Sequence, residues 1–129
     1  MEQGICFVLT HGGEVGAFFV LSPEHEACYD EITDGKWSND EPYTVVHRSA
    51  VAEKYRGMGL SDMIFEEAER ITREWGRSWV RVDTHKLNKS MQTLLRRQGY
   101  RYRGNVLVEV AEGHDPRRQG FEKRLKKRA

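Results

Sequence analysis

What the 129-residue sequence lacks narrows its class. The longest apolar stretch, Val15 to Leu21, is interrupted by Gly16. It falls far short of the roughly 20 residues a spanning helix needs, so no membrane is expected among the partners. No basic-then-apolar leader opens the sequence, so no secretory signal is expected. There are only 2 cysteines, Cys6 and Cys28, without Cys-x-x-Cys spacing. Without a leader they read as reduced thiols of a cytoplasmic protein. His11, His25, His47, His85 and His114 show no metal-ligand spacing, so no metal is expected.

What is present is ordinary for one soluble domain. Hydrophobic residues make up 38% and charged residues 32%, with 12 glycines. A chain this long buries roughly two-thirds of its unfolded surface and needs no disulfide or metal for stability. Residues 1–129 therefore read as a single domain, with 126–129 as a frayed basic tail. The net charge of +1 hides an asymmetry: residues 1–60 carry −6 and residues 61–129 carry +7. A phosphate-bearing ligand, a nucleic acid and a plain solvated surface are all compatible with the basic half.

The pattern predicts β-β-β-α-β-α-β-β. Ile5, Phe7 and Leu9 begin a hairpin that turns at His11-Gly12-Gly13 and returns over Val15 to Leu21. Residues 23–42 are a polar connection, long enough to be functional or mobile. Tyr43 to Val51 is a strand. The helix from Leu60 to Trp75 carries an apolar stripe of Leu60, Ile64, Ala68, Ile71 and Trp75, with Met63 beside it and Gly76 as its stop. Trp79 to Asp83 is a strand. A second helix follows Asn88, with Leu87, Met91, Leu94, Leu95 and Gln98 as its stripe and Gly99 as its end. Strands over Tyr100 to Val110 and Gln119 to Leu125 complete the chain. The strand-helix-strand segment in the middle requires a parallel pair with a right-handed crossover. The fold class is α/β (α+β): a single mixed, mostly antiparallel sheet with a central parallel βαβ unit and helices on its faces.

The informative segment is Tyr55-Arg56-Gly57-Met58-Gly59-Leu60-Ser61, between a strand and a helix. Glycines there let the backbone turn tightly and approach a ligand, and the helix N-terminus favours phosphate. No Gly-Lys-Ser/Thr follows, so it is not a Walker loop, and the third glycine of a dinucleotide fingerprint is absent. A structural turn is the competing reading. In its context the segment resembles the Arg/Gln-x-x-Gly-x-Gly/Ala signature of the GNAT superfamily of acyl-CoA-dependent N-acyltransferases, with Ser61 at the last position. The strand His47-Arg48-Ser49-Ala50-Val51, the run Asp83-Thr84-His85-Lys86-Leu87-Asn88, Leu94-Leu95 and Gly99-Tyr100 extend the resemblance. Asp34-Gly35-Lys36-Trp37, Asn39-Asp40-Glu41-Pro42-Tyr43 and Phe121-Glu122-Lys123 are similar to a bacterial subgroup.

The resemblance implies acetyl-CoA as co-substrate and a small-molecule or peptide amine as acceptor. It assigns the pyrophosphate to the loop of Arg56, Gly57, Met58, Gly59, Leu60 and Ser61. It assigns the pantetheine to main-chain groups at Ala50 and Val51, between splayed parallel strands. Asn88 would face the far side of the cofactor arm; a plain helix cap is its other reading. Asp62, which would repel a phosphate, is expected to face solvent. A neutral amine must attack the thioester, whereas a free alkylamine has a pKa near about 10, so a base is needed. His47 is the leading candidate, with Glu41 and His85 behind it, and a half-buried structural histidine as the competing reading. Strand alternation puts His47, Ser49 and Val51 on one face.

Two departures from the family qualify this. The tyrosine that often protonates the leaving thiolate would fall at Leu95, leaving Tyr100 or water for the task. Met1 falls almost at the second family strand. The acceptor side is then open, completed by residues 23–42, or completed by another subunit in a homodimer. A non-catalytic acyl-CoA-binding module on the same fold is the alternative reading. Nucleic-acid binding through the basic half is a third, disfavoured by the small net charge and the lack of a binding motif. Trp37, Tyr43 and the acidic residues Asp30, Glu31, Asp34, Asp40 and Glu41 suggest a cationic acceptor, with a solvated loop as the stronger alternative.

Overall fold

The computed structural model of the protein describes residues 4–126, so 127–129 of the expected tail lie outside the described residues. The elements are β1 (Ile5–His11), β2 (Glu14–Ser22), a 3-10 turn (Ala27–Glu31), β3 (Tyr43–Val51), a second 3-10 turn (Glu53–Tyr55), α1 (Leu60–Glu74), β4 (Trp79–Thr84), α2 (Lys89–Arg97), β5 (Arg101–Leu107) and β6 (Arg117–Arg124). The strands form one sheet in the order β1-β2-β3-β4-β6-β5. β3 and β4 are parallel across α1, and all other neighbours are antiparallel. The mixed sheet and both terminal hairpins follow the sequence pattern. The insertion of β6 between β4 and β5 is a tertiary result. β5 is shorter than its sequence pattern suggests, because pairing with β6 ends at Leu107↔Arg117.

Both helices pack on the same face. α1 buries Ile64, Phe65, Ala68, Ile71 and Thr72, an apolar face at helical spacing. Met63, read beside this stripe, is 48% exposed, and Phe65 takes the inward position instead. Leu94 and Leu95 of α2 join the same core, with Ala17, Phe19 and Leu21 of β2 and Val80 and Val82 of β4. Each large aliphatic or aromatic side chain buried here contributes about 1.5–3 kcal/mol. Leu87 lies before α2 and is exposed. Asp62, expected to face solvent, is partly exposed and pairs with Arg97 at 3.0 Å and accepts from Gln98 at 2.7 Å, tying α1 to the end of α2.

The opposite face is covered by the connection 23–42, which is anchored throughout its length. Thr33 exchanges backbone hydrogen bonds of 2.9 and 2.8 Å with Asn105 at the β5 edge. Tyr29 is buried among Tyr43, Val45, Trp79 and Val106, with Trp37 packed against them. Trp37 lies so close over Gly120 that a Cβ there would meet its ring at 2.8 Å. The Arg81 guanidinium is stacked between Trp37 and Tyr43, 4.2 Å from each ring centre. These two aromatics hold the protein's own cation, and both also line a cavity of about 1010 Å³ with Asp30, Asp40 and Glu41. Glu122, 1% exposed, holds the connection from below. It accepts from Ser38 N–H at 3.1 Å and Arg103 Nε at 2.6 Å, and lies 3.7 Å from Arg81.

Candidate active site

The sheet opens where its parallel pair ends. β3 and β4 are paired from Tyr43↔Trp79 to Val46↔Val82 and no further, although β3 runs on to Val51 and β4 to Thr84. The cause lies in the register with β2. Leu21 pairs with Val46, while Val20 pairs with Arg48, so His47 is an extra residue in β3. Such a bulge bends and twists its strand locally. Beyond it the β3 edge turned away from β2 has no strand partner among the described residues. The resulting cleft, about 360 Å³, is lined by Val46, His47, Ser49, Asp83, Asn88 and Met91, among others.

The bulge also corrects the expected side-chain phase. Val51 packs with the helix-side core. His47 instead lies with Glu26, Cys28 and Asp83 around a cavity on the face covered by the connection. Two adjacent residues opposite one residue of β2 break the alternation, so His47 does not share a face with Ser49 and Val51. Its Nε2 is 4.0 Å from Glu26 Oε2.

At the far end of β3 the chain passes through the Gly loop into α1. Gly57 (φ 80) and Gly59 (φ 82) are both left-handed, which other residues adopt at a cost of about 1–2 kcal/mol. A Cβ at either position would meet nothing within 4 Å, so backbone conformation, not crowding, calls for glycine. Gly59 is the N-cap of α1, and no side chain caps this helix. Its first amide groups are thus left for solvent or an anionic ligand. Arg56, Met58 and Ser61 are exposed around the loop, while Leu60 is half-buried against the core. Ala50 and Val51 pair with Phe18 and Ala17 of β2 on one edge only. Asn88 caps α2, its Oδ1 accepting from Met91 N–H at 3.1 Å, and also lines the cleft. The cap reading and the cleft position therefore hold together.

The other expected acid-base groups are placed differently. Glu41 sits at the opposite end of β3, accepting from Trp79 Nε1 at 3.2 Å. It is six positions along extended chain from His47, roughly 20 Å, so it does not reach the fork. His85 Nδ1 accepts from Leu87 N–H at 3.1 Å, so its neutral ring carries the proton on Nε2 and donates to Asp115, 3.2 Å away. With both nitrogens occupied, His85 fixes the turn before α2 and is poorly suited to act as a base. Tyr100 is buried against Phe65 and donates to Glu69 at 3.1 Å. Leu95 is fully buried.

Sequence reasoning missed three residues at the fork. Asp83 directly follows the last parallel pair and lines both the cleft and the cavity. Burial raises its carboxyl above the usual range, against the hydrogen bond from Tyr29 and the nearby Arg118 and His47, which lower it. Glu26 and Arg118 complete the surroundings. Only the position of Asp83 inside a motif run could have signalled it.

A family model described as Acetyltransferase (GNAT) family matches residues 1–100. The chain belongs to this family. Among solved structures, this GNAT protein is similar to a GNAT-family acetyltransferase from Streptococcus agalactiae, at 30% identity and a TM-score of 0.77, over 93% of this chain and 65% of that one. The chain thus spans slightly less than two-thirds of that relative's length. An acetyltransferase from Bacillus subtilis in complex with CoA superposes with a TM-score of 0.73 at 14% identity, over 98% of this chain and 80% of the other. The ribosomal-protein-S18-alanine N-acetyltransferase from Escherichia coli does so with a TM-score of 0.69 at 13% identity, over 100% and 74%. The last two likenesses concern the fold alone. No curated protein matches the chain.

Proposed function

We propose that this GNAT protein transfers an acetyl group from acetyl-CoA to a primary amine of a small molecule or peptide. The observation that carries the reading is the fork. Two parallel strands separate after Val46↔Val82, and the gap leads to a left-handed glycine loop at an uncapped helix N-terminus. The donor fits these residues. Main-chain amides over Arg56–Ser61 suit a pyrophosphate, and the unpartnered β3 edge at Ala50 and Val51 suits an extended, amide-bearing arm. Acetyl-CoA supplies an acyl group activated as a thioester. The chain's own work is to hold that arm, admit the amine beside it and remove a proton. His47 is the base or proton relay, supported by its place in the bulge at the mouth of both cleft and cavity.

The test is twofold. Calorimetric titration with CoA should show binding, and its absence at millimolar ligand overturns the reading. A thiol-release screen with acetyl-CoA over polyamines, aminoglycosides, amino acids and peptides should then find turnover. His47→Ala should lower kcat by about 100-fold or more with CoA affinity retained. A second reading, a non-catalytic CoA-binding module, is favoured by one observation. Leu95 and Tyr100 both lie in the core, where neither serves a leaving thiolate. CoA binding without turnover across the panel would select it.

A further inference from the structure

The fork opens on the helix-free face into a cavity of about 860 Å³. This cavity shares His47, Arg48, Asp83 and Arg118 with the cleft between the strands, so the two spaces meet at these side chains. Asp83 stands at the junction, and its Oδ2 accepts a 2.6 Å hydrogen bond from the Tyr29 hydroxyl. Tyr29 is 1% exposed. Its ring is held by Trp37 at 5.2 Å and Tyr43 at 6.1 Å. A buried, ring-packed tyrosine thus orients one carboxylate at the mouth of the cleft.

The groups around Asp83 come from every neighbouring element. Tyr29, Cys28 and Glu26 come from the connection, His47 and Arg48 from β3, and Arg118 from β6, with Glu109 beyond β5 at the cavity wall. Cys28 takes no part as a thiolate, because burial and the adjacent Glu26 carboxylate push its thiol up to about 12. The three carboxylates Glu26, Asp83 and Glu109 outnumber the guanidiniums of Arg48 and Arg118 on this lining, which favours a cation.

We propose, resting on the acetyl-transfer reading, that this cavity receives the acceptor as a primary alkylammonium. Asp83 pairs with it and takes its first proton, and Tyr29 is the positioning residue that fixes Asp83. The ammonium gives that proton to the Asp83 carboxylate, and His47 passes it to solvent. The neutral nitrogen forms the C–N bond to the thioester carbonyl carbon as the C–S bond breaks. The electron pair stays on sulfur, and the second nitrogen proton ends on that sulfur. The products are the acetamide, the thiol and one released proton.

The experiment compares two probes, n-propylamine and hydroxylamine. At neutral pH the first is an ammonium and the second is largely uncharged. Initial rates of acetyl-CoA-dependent acetylation are measured against pH, after subtraction of the uncatalysed reaction. Calorimetric CoA affinity serves as the folding control. Asp83→Asn should lower kcat/KM for n-propylamine by about 100-fold and for hydroxylamine by far less. The Tyr29 hydrogen bond favours the ionised carboxyl, so Tyr29→Phe should move the acid limb of the n-propylamine profile to higher pH. If Asp83→Asn lowers both amines equally, or Tyr29→Phe leaves the acid limb in place, this proposal falls and the acetyl-transfer reading stands. If the unmodified protein acetylates neither amine but turns over a member of the wider amine panel, this proposal falls and the acetyl-transfer reading stands; if no amine of either set is acetylated, both fall.

Discussion

Replacing Glu122 by glutamine tests what holds the helix-free face together. The side chain keeps its size, but the carboxylate is gone. Glu122 is 1% exposed. It lies 2.6 Å from Arg103 Nε, 3.1 Å from Ser38 N–H and 3.7 Å from Arg81 Nε. A glutamine amide would turn donors toward donors and leave Arg81, 4% exposed, without a counter-charge. Breaking a buried ion pair from one side costs about 3–5 kcal/mol. For a domain of this size each kcal/mol lowers Tm by about 3–5 °C, so a fall of about 9–25 °C is expected by differential scanning calorimetry. Arg103 is half-exposed and can turn to water, so the damage centres on Arg81 and the Trp37 stack above it. The double variant Arg81→Met/Glu122→Leu should recover most of the loss, since an apolar pair of similar volume carries no desolvation cost. A Tm within about 3 °C of wild type for Glu122→Gln would refute the reasoning. So would a double variant no more stable than the single one.

Asp83 predicts the opposite sign. Its folded carboxyl is raised mainly by burial, so its contribution to stability is present at acid pH and lost as pH rises through the folded value. Asp83→Asn should therefore melt above wild type at pH 7.5, with the difference shrinking toward pH 4 in thermal scans. Gly59→Ala places a side chain at φ 82 with open space around it. It should cost about 1–2 kcal/mol by denaturant titration, while CoA affinity by calorimetry falls by at least about tenfold. Native protein should show one thiol reacting promptly with a disulfide reagent at pH 7.5. Cys6 is exposed, whereas Cys28 is pushed up to about 12 and should react only after unfolding.

The glycine loop, the central parallel pair and both helices were legible because each rests on local chemistry. Gly57 and Gly59 answer to a backbone angle, and the α1 stripe answers to a helical period. The candidate catalytic groups were less legible. Glu41 and His85 are candidates by residue type and by an expected place near the same sheet edge as His47. Glu41 lies at the wrong end of its strand, and the nitrogens of His85 are committed to Leu87 and Asp115. His47 was placed on the wrong face because a bulge has no sequence signature of its own: it depends on how β2 lies beside β3. Tyr29 belongs to no motif, and its partner is 54 positions away at Asp83.

The sequence by itself determined the elements, their parallel centre, the loop that turns into α1 and the family. The elements and the loop depend on periodicities and backbone preferences that act within a few residues, the parallel centre on the strand-helix-strand order, and the family on the resemblance of its motifs. Only the tertiary structure decided that β6 separates β4 from β5, and that residues 23–42 form an anchored cover. It alone decided that Trp37 and Tyr43 enclose Arg81, and that Tyr29, His47 and Asp83 meet at one fork. Those arrangements depend on which surfaces exclude water from each other and which buried charges find partners, and both are settled only when distant segments pack.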